Sequence, residues 1–214
     1  MQIPPTRPGL SRRGLSVAAI ALPFIWTTAR SQTQTQTMAR PTPRQAEGPF
    51  YPLALPHDKD ADLLRNGERR YDAGQAGWVE GVVTDTQGQP LAGSQVEIWQ
   101  CDAAGRYHHP GDGGRADPAF QGFGMQRVGP DGRYRFRTIR PVAYGGRTPH
   151  IHVKVRHGTR ELLTTQLYVR DDPHNAGDSL WRQLRDVRDR DALTVAFEPS
   201  SDGFRAQFSI VIAT

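Results

Sequence analysis

The hydrophobic pattern of this chain is dominated by short segments in which apolar and polar residues alternate. Strands with one buried face show this period of two residues. Turn-forming stretches such as DTQGQP and GPDGR separate the segments. The alternating segments span residues 78–84, 94–100, 133–139, 150–155, 163–169 and 204–212. We therefore predict an all-β fold, an antiparallel β-sandwich.

One stretch, residues 179–192, has the spacing of a helix instead. Its apolar side chains fall on one helical face and are Leu180, Trp181, Leu184 and Val187. We therefore expect one short helix beside the sandwich. The sandwich domain is expected to span residues 78–214, and residues 40–77 are expected to form an N-terminal arm.

The first 39 residues resemble a twin-arginine-type signal peptide followed by a polar linker. Arg12 and Arg13 precede an apolar run from about Val17 to Trp26. That run is shorter than the roughly 20 residues needed to span a bilayer. We expect export to the periplasm or the exterior, without stable membrane insertion. A basic start ahead of a buried strand is the alternative.

Charge and cysteine content narrow the classes of partner. The formal net charge is +5 and there is one cysteine, Cys101, so an internal disulfide is excluded. Loss of the leader removes arginines and no acidic residue, and the net charge falls to about +1 or +2. We therefore expect no nucleic-acid partner. A homo-oligomer and a requirement for a second related chain both stay open.

The segment HIHVKV places a pair of histidines on one face of a strand. His150 and His152 point to the side opposite Ile151 and Val153. Two imidazoles at this spacing can bind one metal ion, although a solvated pair or a zinc or copper site is also compatible with the pattern.

Two tyrosines could complete a metal site. Tyr107 follows the second predicted strand, and Tyr144 lies six residues before His150. Phenolate oxygen is a hard, charged donor that suits Fe(III). Two tyrosinates and two neutral histidines would leave Fe(III) with one net positive charge, which favours binding of an ionised diol.

Several segments together resemble the intradiol ring-cleaving dioxygenases, especially the protocatechuate 3,4-dioxygenase type. They are EGPFYP, GVVTDTQGQPLAGSQVEIWQCDAAGRYHH, GRYRFRTIRPVAYGGRTPHIHVKV and LTTQLYV, and the resemblance runs from about Glu47 to the end. It implies a prealbumin-like sandwich core that carries the catalysis. It also implies a role for six residues: iron ligation by Tyr107, Tyr144, His150 and His152, a cation beside the substrate ring at Arg147, and a pocket position at Gln166.

The activity implied by this resemblance is Fe(III)-dependent cleavage of a catechol-type aromatic diol with O2. The product would be a cis,cis-muconate-type diacid. Tyr144 would take a proton from the diol, and Arg147 would stabilise charge on the ring. The chain has Gly146 where the protocatechuate enzymes have a tryptophan, so the pocket should be more open or differently walled, and the substrate need not be protocatechuate. A non-catalytic prealbumin-like or carboxypeptidase-regulatory-like binding sandwich is the alternative.

Overall fold

The computed structural model describes residues 1–3 and 38–213, to which the structural statements below refer. The chain divides into two units, Met1–Thr35 and Gln36–Thr214, and the fold described here is that of the second. The predicted twin-arginine leader and most of the linker fall within residues 4–37 and lie outside the described residues. No helix in the described part is long and apolar enough to cross a membrane.

Two five-stranded sheets form a sandwich in the described part. The strands are β1 (Arg65–Asn66), β2 (Arg69–Arg70), β3 (Ala76–Asp85), β4 (Gln95–Trp99), β5 (Phe123–Arg127), β6 (Arg133–Ile139), β7 (His150–His157), β8 (Arg160–Val169), β9 (Thr194–Val195), β10 (Glu198–Ser200), β11 (Gly203–Gln207) and β12 (Ile210–Ile212). The first sheet has the order β10-β11-β3-β12, with β6 also paired to β3. The second has the order β5-β4-β7-β8-β9, and β1 and β2 form a separate hairpin. The predicted β-sandwich is confirmed.

Both sheets are mixed, where the alternation led us to expect antiparallel pairing throughout. Strands β11 and β12 run parallel to β3, and β9 runs parallel to β8. A parallel neighbour requires a crossover of a dozen residues or more, and the segment between β8 and β9 is long enough to supply one. A period of two residues shows which side chains share a face, but it carries no information on strand direction.

The predicted helix is interrupted. Helix α1 spans Ser179–Gln183 and α2 spans Val187–Leu193, and the backbone at Leu184 between them is not helical. Asp186 starts the second helix by accepting a hydrogen bond from the Arg188 N–H. Leu184 is buried as expected, whereas Val187, which lies beyond the break, is 63% exposed. Short 3-10 helices at Pro110–Asp112 and Asn175–Gly177 add one turn each.

Strand β7 is buried on both faces. Ile151, Val153 and Val155 pack in the core between the sheets. His150 and His152, on the opposite face, are each only 1% exposed. The N-terminal arm covers this second face, since Gln45 N–H donates to the Thr164 carbonyl of β8. The histidine pair therefore does not lie on a solvated surface of the sheet.

Candidate functional site

The four side chains expected to bind iron lie together under the arm. His150 and His152 come from β7, Tyr107 from the loop after β4, and Tyr144 from the loop before β7. Ring centroids are 5.0 Å apart for the two tyrosines, 5.4 Å for Tyr144 and His150, and 4.8 Å for the two histidines. The structure thus brings together residues that are up to 45 positions apart in sequence.

The loop that carries Tyr107 is held by carboxylates. One oxygen of Asp102 accepts from the backbone N–H of Ala104 and Arg106, at 2.9 Å each, and its other oxygen accepts from Asp117 N–H. The Tyr107 N–H itself donates to Asp112 at 2.7 Å. These bonds satisfy a non-repetitive backbone that has no strand partner, and they fix the backbone from which the Tyr107 side chain projects.

The turn that carries Tyr144 is tight and open to solvent on one side. Arg147 N–H donates to the Tyr144 carbonyl at 2.7 Å. Gly145 and Gly146 have φ of 52° and 78°, in the left-handed region that favours glycine. A Cβ atom at either glycine would meet nothing within 4 Å. Open space therefore lies beside Tyr144 at these two positions.

The two imidazoles are arranged as neutral ligands. His150 Nδ1 lies 2.6 Å from the Thr148 carbonyl, which can only accept, so the proton of neutral His150 is on Nδ1, and Nε2 carries a lone pair that can accept from His152 or bind a metal ion. The Nε2 atoms of His150 and His152 are 3.2 Å apart. Burial lowers the pKa of His150 to about 4 and that of His152 well below 6.5, with the Arg147 charge acting in the same direction.

The phenol of Tyr107 is buried without compensation. Its hydroxyl makes no hydrogen bond of good geometry among the described residues, although the Tyr144 hydroxyl is near enough to act on the pKa of Tyr107. Burial raises the pKa of Tyr107 well above 10.0 and raises the pKa of Tyr144, while the Arg147 charge opposes both shifts. An unpartnered buried hydroxyl is costly, and a metal ion that takes the phenolate would remove that cost. The separation of 3.2 Å between the two histidine Nε2 atoms also suits nitrogens that bind the same ion, each at about 2.1 Å. The residues present therefore fit a metal.

Arg147 is fixed at the edge of the site by two partners. Its Nε donates to Asp178 at 2.7 Å, and its Nη2 donates to Gln166 Oε1 at 2.7 Å. Gln166 is fully buried, and its Nε2 donates to the Ala46 carbonyl of the arm. Its amide thus orients Arg147 and holds the arm. Arg147 and Gln166 were predicted from the sequence, whereas Asp178 was missed. An aspartate directly before a predicted helix is an N-cap signal, and this signal could have identified it.

The wall of the site next to Tyr107 and His152 is aromatic. Trp99 is buried and stacks on His152 with centroids 4.8 Å apart and an interplanar angle of 9°. Phe50 of the arm stacks on Tyr107 at 4.8 Å. Gly48, with φ of 79°, lies so close to His152 that a Cβ atom there would be 3.1 Å from His152 Cε1. The EGPFYP motif, which contains Gly48 and Phe50, was thus the sequence signal for this wall.

The composition of the site limits which metal chemistry is available. Within residues 1–3 and 38–213, no three or more His, Cys, Asp or Glu side chains are grouped so that they could hold a metal ion. The side chains next to His150 and His152 that could supply charged oxygen ligands are those of Tyr107 and Tyr144. Phenolate donors favour Fe(III) over zinc, whose usual ligands are nitrogen and sulfur.

Several known proteins are similar in sequence to this chain. The family described as Dioxygenase matches residues 46–213. The protocatechuate 3,4-dioxygenase beta chain of Burkholderia cepacia is 35% identical over 173 residues, which cover 74% of this chain and 72% of that protein. A hydroxyquinol 1,2-dioxygenase of Corynebacterium glutamicum is 32% identical, and the match covers 78% of this chain and 62% of that protein. The chain spans 63% of a catechol 1,2-dioxygenase of Candida albicans, at 29% identity and with 83% of this chain covered.

Solved structures show the same fold. The dioxygenase domain of a dioxygenase and carbohydrate-binding protein fusion from Streptomyces sp. SirexAA-E has a TM-score of 0.65 at 32% identity. That match covers 82% of this chain and 99% of the other. An intradiol ring-cleavage dioxygenase from Tetranychus urticae has the same TM-score at 20% identity, with 82% and 95% covered, and supports the fold alone.

Proposed function

Since this chain belongs to the intradiol ring-cleavage dioxygenase family, we propose that it is a non-haem Fe(III)-dependent enzyme that cleaves a catechol-type diol with O2 to a cis,cis-muconate-type diacid. The observation that carries the proposal is the unpartnered, buried Tyr107 hydroxyl beside two Nε2 atoms that are 3.2 Å apart. A sandwich that only bound a ligand would have no reason to bury these polar atoms together.

Tyr107, Tyr144, His150 and His152 would hold the ion. Fe(III) bound there would supply a Lewis acid that accepts both oxygens of the diol and prepares the ring for attack by O2. The two phenolates would compensate two of the three positive charges of the ion, and the neutral imidazoles would add none, so little uncompensated charge would be buried.

The two tyrosines are suited to different tasks. Tyr107 is 2% exposed and its backbone is bonded to Asp112, so it is held in one position. Tyr144 is only partly buried and adjoins the exposed Gly145 and Gly146. Tyr144 is therefore the phenol with room to move, and its Oη accepts a proton from the incoming diol.

Arg147 supplies the positive charge at the substrate edge. Burial lowers its pKa, but the hydrogen bond and charge of Asp178 outweigh this effect and raise it, so the guanidinium stays protonated. Its charge already acts on both tyrosines and both histidines, as their pKa values show. The same charge stabilises negative charge that develops on the ring during attack.

The open turn at Gly145 and Gly146 bears on the identity of the substrate. The space next to these glycines would accept a substituent on the aromatic ring, because a side chain there would meet no neighbour within 4 Å. The Nε and Nη2 edge of the Arg147 guanidinium is already occupied by Asp178 and Gln166, so this edge is not free to hold a substrate carboxylate. We therefore propose that the preferred substrate is a substituted catechol without a carboxylate.

Metal analysis and a visible spectrum test the proposal. Iron-loaded protein should contain about one iron per chain, show the burgundy colour of tyrosinate bound to Fe(III), and consume O2 with a panel of catechols. Stoichiometric iron without the visible band would refute the ligand set. Absence of bound iron together with absence of oxygen uptake would favour the binding sandwich, and stoichiometric zinc or copper would favour the other metal sites.

We also propose that the chain is exported, on the pattern of Arg12, Arg13 and the apolar run that follows. The test is N-terminal sequencing of the protein recovered outside the cytoplasm. Replacement of both arginines by lysine should leave it inside the cell, and unchanged export of that variant would contradict the proposal.

A further inference from the structure

One buried carboxylate at the start of α1 has four hydrogen bonds. Asp178 Oδ1 accepts from the backbone N–H of Leu180 and Trp181, at 2.9 Å each. Its Oδ2 accepts from Arg147 Nε at 2.7 Å and from Thr148 N–H at 3.0 Å. The side chain is fully buried in this arrangement. Helix capping needs only the first pair of bonds, so the second pair calls for a separate explanation.

The second pair of bonds fixes the direction of the Arg147 guanidinium. With Nε bound to Asp178 and Nη2 bound to Gln166, the planar group is held at two points. The Tyr168 hydroxyl is close enough to accept one further bond, so at least two of the five N–H groups have no protein acceptor in the described part of the chain. The Arg147 side chain is 18% exposed, so these free donors can reach a substrate.

The same oxygen, Asp178 Oδ2, is also linked through Thr148 to His150, one of the proposed metal ligands. Thr148, whose N–H binds Asp178, accepts the Nδ1–H of His150 at its carbonyl. A single carboxylate 26 residues beyond His152 thus connects the helix start, the cation and the peptide that orients one imidazole. Supporting residues of this kind usually affect function through the groups they orient.

We propose that Asp178 is a positioning residue, which holds the Arg147 guanidinium so that its free N–H groups face the diol. This inference rests on the proposed function for its catalytic consequence, but the position of Arg147 can be measured without it. Asp178 acts through Arg147 and does not itself contact the substrate.

Two substitutions separate this role from helix capping. Asp178→Asn and Asp178→Ser both keep a side chain that caps a helix well, and both remove the oxygen that binds Arg147 and Thr148. We expect each to lower kcat about 10-fold to 100-fold, with iron content and the visible band unchanged. The matched control is Asp186→Asn at the start of α2, which should stay within about twofold of the wild type.

A double-mutant cycle shows whether Asp178 works through Arg147. If it does, adding Asp178→Asn to Arg147→Ala should cause no further loss of kcat, because the group being positioned is already gone. If the two losses multiply, Asp178 acts independently and the proposal is wrong. The use of two Asp178 variants guards against one of them failing to fold.

A readout independent of turnover completes the test. Crystal structures of the full-length iron-loaded wild type and of Asp178→Asn should show the Arg147 guanidinium displaced in the variant only. An unmoved guanidinium would refute the proposal even if activity fell. If the wild type binds no iron or consumes no O2, the proposed function fails, and the position of Arg147 still decides the structural part of the inference.

Discussion

Replacement of Gly48 by alanine tests whether the arm holds His152 in place. Gly48 has φ of 79°, and a Cβ atom there would lie 3.1 Å from His152 Cε1. The left-handed conformation alone costs a non-glycine residue about 1–2 kcal/mol. The His152 ring cannot move freely, because it stacks on Trp99 with an interplanar angle of 9°. Crowding of this kind adds about 1–3 kcal/mol.

The matched control is Gly67→Ala. Gly67 also has a positive φ, 59°, but a Cβ atom there would meet nothing within 4 Å. Backbone strain should destabilise both variants, which corresponds to a Tm lower by about 2–8 °C for a domain of this size. Only Gly48→Ala should lose further stability through crowding, and only this variant should release iron to a chelator about 10-fold to 100-fold more readily. Equal Tm values and equal iron retention in the two variants would refute the reasoning.

Three further predictions concern the site and the arm. Tyr107→Phe should weaken the visible band of iron-loaded protein, and an unchanged spectrum would remove Tyr107 from the ligand set. Gly146→Trp should lower kcat/KM for 4-tert-butylcatechol relative to catechol about tenfold. Gly146→Ala shares the backbone strain and should leave that ratio unchanged. Equal ratios in both variants would show that the substrate does not occupy the space beside Gly146. Glu47→Gln should lower the free energy of urea unfolding by about 1–3 kcal/mol, because Lys154 is 2% exposed and would keep only its longer ion pair with Glu161, at 3.7 Å. Adding Lys154→Met should recover most of that loss, and no recovery would show that the buried charge is not the cause.

The sequence was sufficient for the features that depend on local pattern. Alternation located the principal strands and placed His150 and His152 on one face, because side-chain direction in a strand has a fixed period. It could not show that this face is buried. The cover comes from residues such as Gly48 and Phe50, in a segment without apolar periodicity that contacts the strand only in the folded chain.

The features that sequence reasoning missed depend on tertiary contacts. Asp178 could be anticipated as a helix cap, but its bonds to Arg147 and Thr148 arise only when α1 packs beside the loop before β7. The exposure of Val187 follows from a break in the helix that the spacing of apolar residues did not signal. Strand β5 was missed because Gly124 interrupts the alternation, and this glycine is needed where a Cβ atom would meet Asp60 O at 2.7 Å.

The arm that covers the histidine pair links folding order to metal entry. Thr165 Oγ1 donates to the Pro43 carbonyl, and Gln166 Nε2 to the Ala46 carbonyl, across about 120 residues of chain. Closing a loop of that length costs about 4 kcal/mol of chain entropy. The β7-β8 hairpin, in contrast, pairs neighbouring segments and can form early. We therefore expect the cover to dock last, so that iron enters before docking and later leaves at the rate at which the arm detaches.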